Sequence, residues 1–231
     1  FTAKSMGAQL LVHYGHSCLV PVDQTSGIRV LYVFVDIKID PEHFLETIRL
    51  NIPLESKIGL VSTIQFVATV QAAAQKLKEE GYTVSVPQFR PLSPGEILGC
   101  TSPVLKCSDV IVYLGDGRFH LESIMIANPK AAAYKYDPYD KKFTQEFYDH
   151  DQMETMRLKS IEKAAEAGSF GVIMGTLGRQ GNKNVVQYLH DRIVEKQKQA
   201  VIILLSEIFP SKLELFEDLG AFVQIACPRL S

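Results

Sequence analysis

The sequence has 231 residues, of which 46% are hydrophobic and 22% charged, with a formal net charge of −2. That is enough chain to bury a real core, and the charge balance lacks the basic face of a nonspecific nucleic-acid binder. Apolar runs such as VIVYL and VIILL have strand length and fall short of the roughly 18 residues of a membrane helix, so neither nucleic acid nor membrane is an expected partner.

Short β-rich runs alternate with helical patterns along the chain. Residues 9–15 (QLLVHYG) and 29–37 (RVLYVFVDI) read as strands. KIGLVST at 57–63 is a strand followed by a helix in which Val67, Val70, Ala74 and Leu77 recur at helical spacing, and Gly81 supplies the stop. Strands continue at 82–87, 109–115 and 132–137. After a helix around 152–167 come a strand at 170–176, a helix over NKNVVQYLHDRIVEKQ and a strand at 200–206. A short helix at KLELFEDLG and the strand AFVQIAC complete the series. Val/Ile-rich strands alternating with helices predict α/β architecture, with parallel sheets flanked by helices on both faces.

Three segments share one order of loop, short helix, apolar strand and polar turn: FTAKSMGAQLLVHYGHSCL, TSPVLKCSDVIVYLGDGRFH and FPSKLELFEDLGAFVQIACPRL. They predict repeated Rossmann-like units in a pseudo-threefold arrangement, the first unit truncated because its opening strand and helix would precede Phe1. The domains are then 1–50 (a remnant), 51–148 and 149–231, with the polar, aromatic stretch 136–152 as a linker.

In open parallel sheets, ligands gather at the carboxyl ends of strands, and the unusual residues of this chain fall there. GTLGRQGN spaces Gly175, Gly178 and Gly181 three apart between a strand and a helix. Its backbone and the helix start could receive an anion, with Arg179 forking onto a carboxylate or phosphate; plain turn geometry is the alternative. HYGHSC offers His13, His16 and Cys18 to zinc, but a polar turn with Cys18 packed suits His13 within the strand better. Asp116 could bind a hydroxyl or amine, or serve only its turn.

Four cysteines in a chain of this size make no disulfide framework and indicate a reducing cytoplasm. Cys107, in a helical segment, reads as structural. Cys100 and Cys227 each precede a turn-forming proline at a strand edge, in different copies of the repeat. A buried cysteine before a turn is one reading of each. If equivalent edges face one centre, the other is an iron–sulfur cube, with a third thiolate expected from the missing front of the first copy.

The blocks VHYGHSCLVP, YVFVDIKID, VSTIQFVATVQAA, PLSPGEILGCTSP, VYLGDGRFHLESIMIANP, GTLGRQGN, LLSEIFPSKL and VQIACPRLS together resemble the eukaryotic diphthamide-biosynthesis family. The resemblance extends over essentially the whole chain. It implies three homologous α/β domains, each giving one cysteine to a [4Fe–4S] cluster. Cys100 and Cys227 match the second and third ligands, and the first is expected just upstream of Phe1.

The implied reaction is a radical-type transfer of the 3-amino-3-carboxypropyl group of S-adenosylmethionine to a histidine of translation elongation factor 2, the first step of diphthamide synthesis. No side-chain acid or base is expected to carry the carbon–sulfur cleavage. S-adenosylmethionine is expected beside the cluster, bordered by Arg179, Gln180 and Gly181 and by Ser206 and Glu207 of LLSEIFP. The implied partners are a homologous subunit 2 of the synthase, the elongation factor and an electron donor protein, all in the cytoplasm. With only two cluster ligands, this chain alone is expected to be inactive. Two other readings are a noncatalytic scaffold subunit of the same complex and an unrelated nucleotide-binding α/β enzyme using GTLGRQGN.

Overall fold

A computed structural model describes residues 2–14, 27–90, 92–176 and 181–226. The chain separates into two compact units, the first running through Tyr148 and the second from Asp149. The first unit opens with helix α1 (Thr2–Ser5) and the parallel pair β1 (Leu10–Tyr14) and β2 (Arg29–Val33). The run predicted as a strand to residue 37 ends four residues sooner, and the Ile37 N–H donates instead to the Gln65 carbonyl.

Helix α2 (Pro41–Asn51) follows, with Pro41 in its first turn and the Asp40 carboxylate accepting the Glu42 N–H. It sinks Phe44, Leu45 and Ile48 into the core of the central sheet. The helix therefore packs with the central sheet and straddles the boundary read at residue 50.

The central sheet contains β3 (Lys57–Ser62), β4 (Thr83–Ser85), β5 (Val110–Leu114), β6 (Ala132–Asp137) and β7 (Lys142–Glu146), in the order β4-β3-β5-β6-β7. The first four are parallel, as the continuous apolar runs predict; β3 and β5 are buried almost throughout. Helix α3 (Val67–Glu79) covers one face with Val70, Ala73, Ala74 and Leu77. It ends as predicted at Gly81 (φ +97°), where the N–H groups of Gly81 and Tyr82 return to Lys78 and Leu77. Helix α4 (Phe119–Ala127) buries Leu121, Ile124 and Met125 against Val61, Ile111 and Tyr113 on the other face.

Two expectations fail in this unit. Residues 138–146 form a hairpin rather than a linker: β7 runs antiparallel to β6, and Tyr134 stacks on Phe143. Its turn is held by the Asp137 carboxylate, which accepts the N–H groups of Tyr139 and Asp140, and Lys141 takes a positive φ of 52°. The segment 104–109 (VLKCSD), read as helical, forms no helix: residues 101–105 have no regular structure and Cys107 is exposed in the turn at 106–107. Asn128 accounts for this: it accepts the Leu105 N–H (2.6 Å) and donates to the Pro103 and Ile124 carbonyls (both 2.9 Å). Those bonds tie the strip to α4.

The second unit starts with α5 (His150–Glu166), capped by Asp149 onto Gln152, and continues through β8 (Ser169–Gly175), α6 (Lys183–Glu195), β9 (Gln199–Leu205), α7 (Pro210–Leu213) and β10 (Ala221–Ile225). Its parallel sheet has the order β10-β8-β9. This repeats the β5-β3-β4 order of the central sheet, the first strand of each sheet flanked by the second and third. Ile173, Ile203 and Ile208 form its core, while the edge strand β9 leaves Val201, Ile202 and Leu204 open.

Candidate metal centre

Cys100 is presented by a turn built on the carboxyl end of β3. The Ser62 N–H donates to the Gly95 carbonyl (2.8 Å) and the Ile97 N–H to the Ser62 carbonyl (3.0 Å), so residues 95–97 extend the sheet by one bridge. Gly95 has φ +87° and abuts Val70 and Val86, a backbone position and a space that both favour glycine. Ile97 is buried, which seats the strip. Leu98 and Thr101 then exchange N–H to carbonyl bonds (3.1 and 3.4 Å), closing a tight turn with Gly99 and Cys100 at its tip. Cys100 is exposed, its Sγ 3.5 Å from Thr101 Oγ1. Beyond the turn, Ser102 donates to Ser123 (2.8 Å) and Asn128 holds the next three residues.

The thiol is thus exposed on a hydrogen-bonded turn at a carboxyl edge, where a metal could reach it. Cys107 is exposed too, but at the opposite end of the sheet. It lines a cavity of about 440 Å³ with Lys57, Val84, Ser85 and Ser108, where β3 and β4 begin. The helical setting expected for it is not what the structure shows. Among the described residues, no three His, Cys, Asp or Glu side chains are grouped to hold a metal. Cys227 and Cys18, like His16, lie outside the described residues, as do Arg179 and Gln180. His13 lies edge-on to Tyr32 (5.6 Å between ring centres).

In the second unit, Gly181, Ser206 and Glu207 share the carboxyl edge of the sheet. Gly175 and Leu205 are register partners, and the Thr176 N–H donates to the Leu205 carbonyl (2.9 Å), so Ser206 and Glu207 leave β9 beside the end of β8. Both are exposed. Gly181 returns the chain against the Gly175 carbonyl, where a Cβ would collide with that oxygen and with Met174. The start of α6 is less open to an anion than its sequence implies, because the Asn182 side chain already accepts the N–H groups of Asn184 (3.0 Å) and Val185 (3.2 Å). Asp116 stays at its turn, where its carbonyl accepts the Tyr113 hydroxyl (3.2 Å). Burial pushes that phenol well above its ordinary pKa and keeps it a donor.

Residues that motif reading passed over also shape this site. Glu96 and Asn128 are buried and polar, and both hold the Cys100 strip. The one visible signal is a carboxylate set between Gly95 and the apolar pair Ile97–Leu98.

The family model for diphthamide synthesis proteins matches residues 1–231. A Gallus gallus protein called 2-(3-amino-3-carboxypropyl)histidine synthase subunit 1 is 61% identical over 232 residues, covering 100% of this chain and 56% of that protein. The Homo sapiens protein of the same name is 58% identical over 233 residues, covering 100% and 53%. The chain thus spans about half the length of these curated relatives. Dph2 from Pyrococcus horikoshii superposes with a TM-score of 0.76 at 27% identity, over 99% of this chain and 66% of that one. A second crystal structure of that protein, with a 4Fe–4S cluster, matches with the same TM-score over 67% of its chain. On the whole-chain family match and this structural likeness, the chain belongs to the diphthamide synthesis protein family.

Proposed function

We propose that this chain is part of the catalytic subunit of a 3-amino-3-carboxypropyl transferase, which moves that group from S-adenosylmethionine to a histidine of translation elongation factor 2. Cys100 carries this reading: its thiol stands exposed on a braced turn at a carboxyl edge, in a chain structurally similar to a protein solved with a 4Fe–4S cluster. In this proposal Cys100 and Cys227 are two of three thiolate ligands, one each from three α/β domains arranged around a pseudo-threefold axis. When bound, such a cluster supplies the electron and the iron site for cleaving the sulfur–carbon bond.

The chain's own residues hold and orient. The Leu98–Thr101 turn aims one ligand, and the carboxyl edge of the second unit's sheet, with Arg179, Gln180, Gly181, Ser206 and Glu207, borders S-adenosylmethionine. Arg179 forks onto its carboxylate. A homologous second subunit and an electron donor protein complete the assembly in the cytoplasm. No helix of the described residues is long and apolar enough to cross a membrane.

The test is transfer in the full-length protein assembled with the second subunit, under anaerobic conditions with dithionite, labelled S-adenosylmethionine and elongation factor 2. Label should appear on one histidine-containing peptide and vanish with Cys100→Ala. Label transfer that persists in that variant, or that proceeds without iron, would overturn the proposal. Arg179→Ala should weaken S-adenosylmethionine binding by about tenfold or more, the scale of a lost charge-assisted pair.

A further inference from the structure

We propose that Glu96 is a positioning residue for the Cys100 turn, acting by the reach of its side chain rather than by its charge. The inference rests on the cluster reading only for its consequence at the metal. Glu96 is 3% exposed and has no cationic partner among the described residues, an unusual place for a carboxyl group. One oxygen, Oε2, accepts the Ser93 N–H at 3.0 Å, while the Ser93 carbonyl accepts the Glu96 N–H at 3.0 Å. This reciprocal pair closes the loop from 93 to 96 on itself, directly before the turn that carries the thiol.

The other oxygen, Oε1, is buried without a hydrogen-bond partner, as are Ser62 Oγ and Thr63 Oγ1. His13 Nε2 is the fourth such atom among the described residues, so three of the four stand at the carboxyl end of β3. Ser62 and Glu96 are bridge partners and Thr63 follows directly, which brings a carboxylate and two hydroxyls to one strand end. Burying polar atoms in this way is costly. The polar atoms lie where the sheet hands over to the Cys100 turn. An aliphatic residue at 96 would fill the space but release Ser93 and free the strip 93–97 to shift along β3, carrying Gly99 and Cys100 with it.

Reach and charge are separated by two conservative variants of the full-length protein. Glu96→Gln keeps the length and an oxygen for Ser93, losing the charge; Glu96→Asp keeps the charge but is one methylene short. Two readouts apply: amide exchange at Ser93 and Ile97 in the cluster-free protein, and iron content with the EPR line shape after anaerobic reconstitution. Positioning by reach predicts wild-type behaviour for Glu96→Gln. For Glu96→Asp it predicts exchange about fivefold faster at both amides, the scale of one net hydrogen bond, with lowered iron and a broadened signal. The opposite ranking would overturn the proposal in favour of an electrostatic role. Wild-type behaviour in both variants, or equal damage in both, would overturn it as well. If the wild-type protein takes up no iron, the cluster reading fails, and amide exchange alone still decides the role of Glu96.

Discussion

Phe119, the first residue of α4, lies against the backbone of Gly99, one residue before the exposed thiol of Cys100. A Cβ at residue 99 would come within 2.6 Å of ring atoms Cδ1 and Cζ, and closer still to Cε1. An aromatic ring and a missing side chain thus fit together to set the height of the turn above α4.

Gly99→Ala should therefore destabilise the first unit by about 1–3 kcal/mol, the usual scale of overpacking. It should also reduce iron uptake, because the ring or the turn must move. Phe119→Leu in the same chain should recover part of the loss. Urea unfolding of the two single variants and the double variant checks this, the double variant being expected to lose less stability than the two single variants summed.

Asn128 fastens the other side of the strip, with three hydrogen bonds reaching Pro103, Leu105 and Ile124. Asn128→Ala leaves one partly buried N–H and two carbonyls without it and should cost about 2–4 kcal/mol. Asn128→Asp should be no better, since a carboxylate would then face two carbonyl oxygens. Chemical denaturation followed by circular dichroism measures both.

Arg49 joins α2 to α3, donating to Glu80 at 2.6 and 2.9 Å and to Glu42 at 2.8 Å. Hydrogen bonding to Arg49 is the main cause holding both carboxyls below the ordinary glutamate pKa. Groups shifted downward on folding stabilise the protein above their unfolded pKa, and that contribution is lost as pH falls through the lowered values. Stability should thus decline from the ordinary carboxylate range downward, and less steeply in the Glu42→Gln, Glu80→Gln double variant. High salt should shrink the difference, since these side chains are solvent-accessible. Urea midpoints across pH 3–7 at two ionic strengths provide the measurement.

Lys141, at the β6–β7 turn, holds a left-handed conformation at φ 52°. Lys141→Gly should relieve that strain and stabilise the unit by about 0.5–1 kcal/mol, despite the added freedom of the unfolded chain. Thermal unfolding would show it as a rise in midpoint.

The strands that the sequence disclosed most clearly are those whose burial demands a continuous apolar run, β3, β5 and β8. The hairpin at 137–146 was hidden because β7 (KFTQE) is an edge strand, only Phe143 and Glu146 being partly covered. Its turn also relies on Asp137 and a left-handed lysine rather than on glycine. Helix α4 was hidden for the reverse reason: FHLESIMIA is apolar on most sides and leaves little helical alternation to read. The segment 104–109 looked helical, and the hydrogen bonds of Asn128, over twenty residues away, hold Pro103 and Leu105 out of a helix, which no local pattern reveals. Cys100 stood out as a candidate because a thiol with a turn-forming proline close behind it, at a strand edge of one repeat copy, is unusual. Its supports, Glu96, Phe119 and Asn128, act through tertiary contacts and did not.

The most direct test of the central claim, that Cys100 and Cys227 hold a cluster while Cys107 does not, is iron and acid-labile sulfide analysis of the full-length protein after anaerobic reconstitution. The wild-type protein and Cys107→Ala should each hold about four iron and four sulfide per chain, as a cubane requires. Cys100→Ala and Cys227→Ala should each lose most of both. Full iron and sulfide in either of those two variants, or loss in Cys107→Ala alone, would contradict the account.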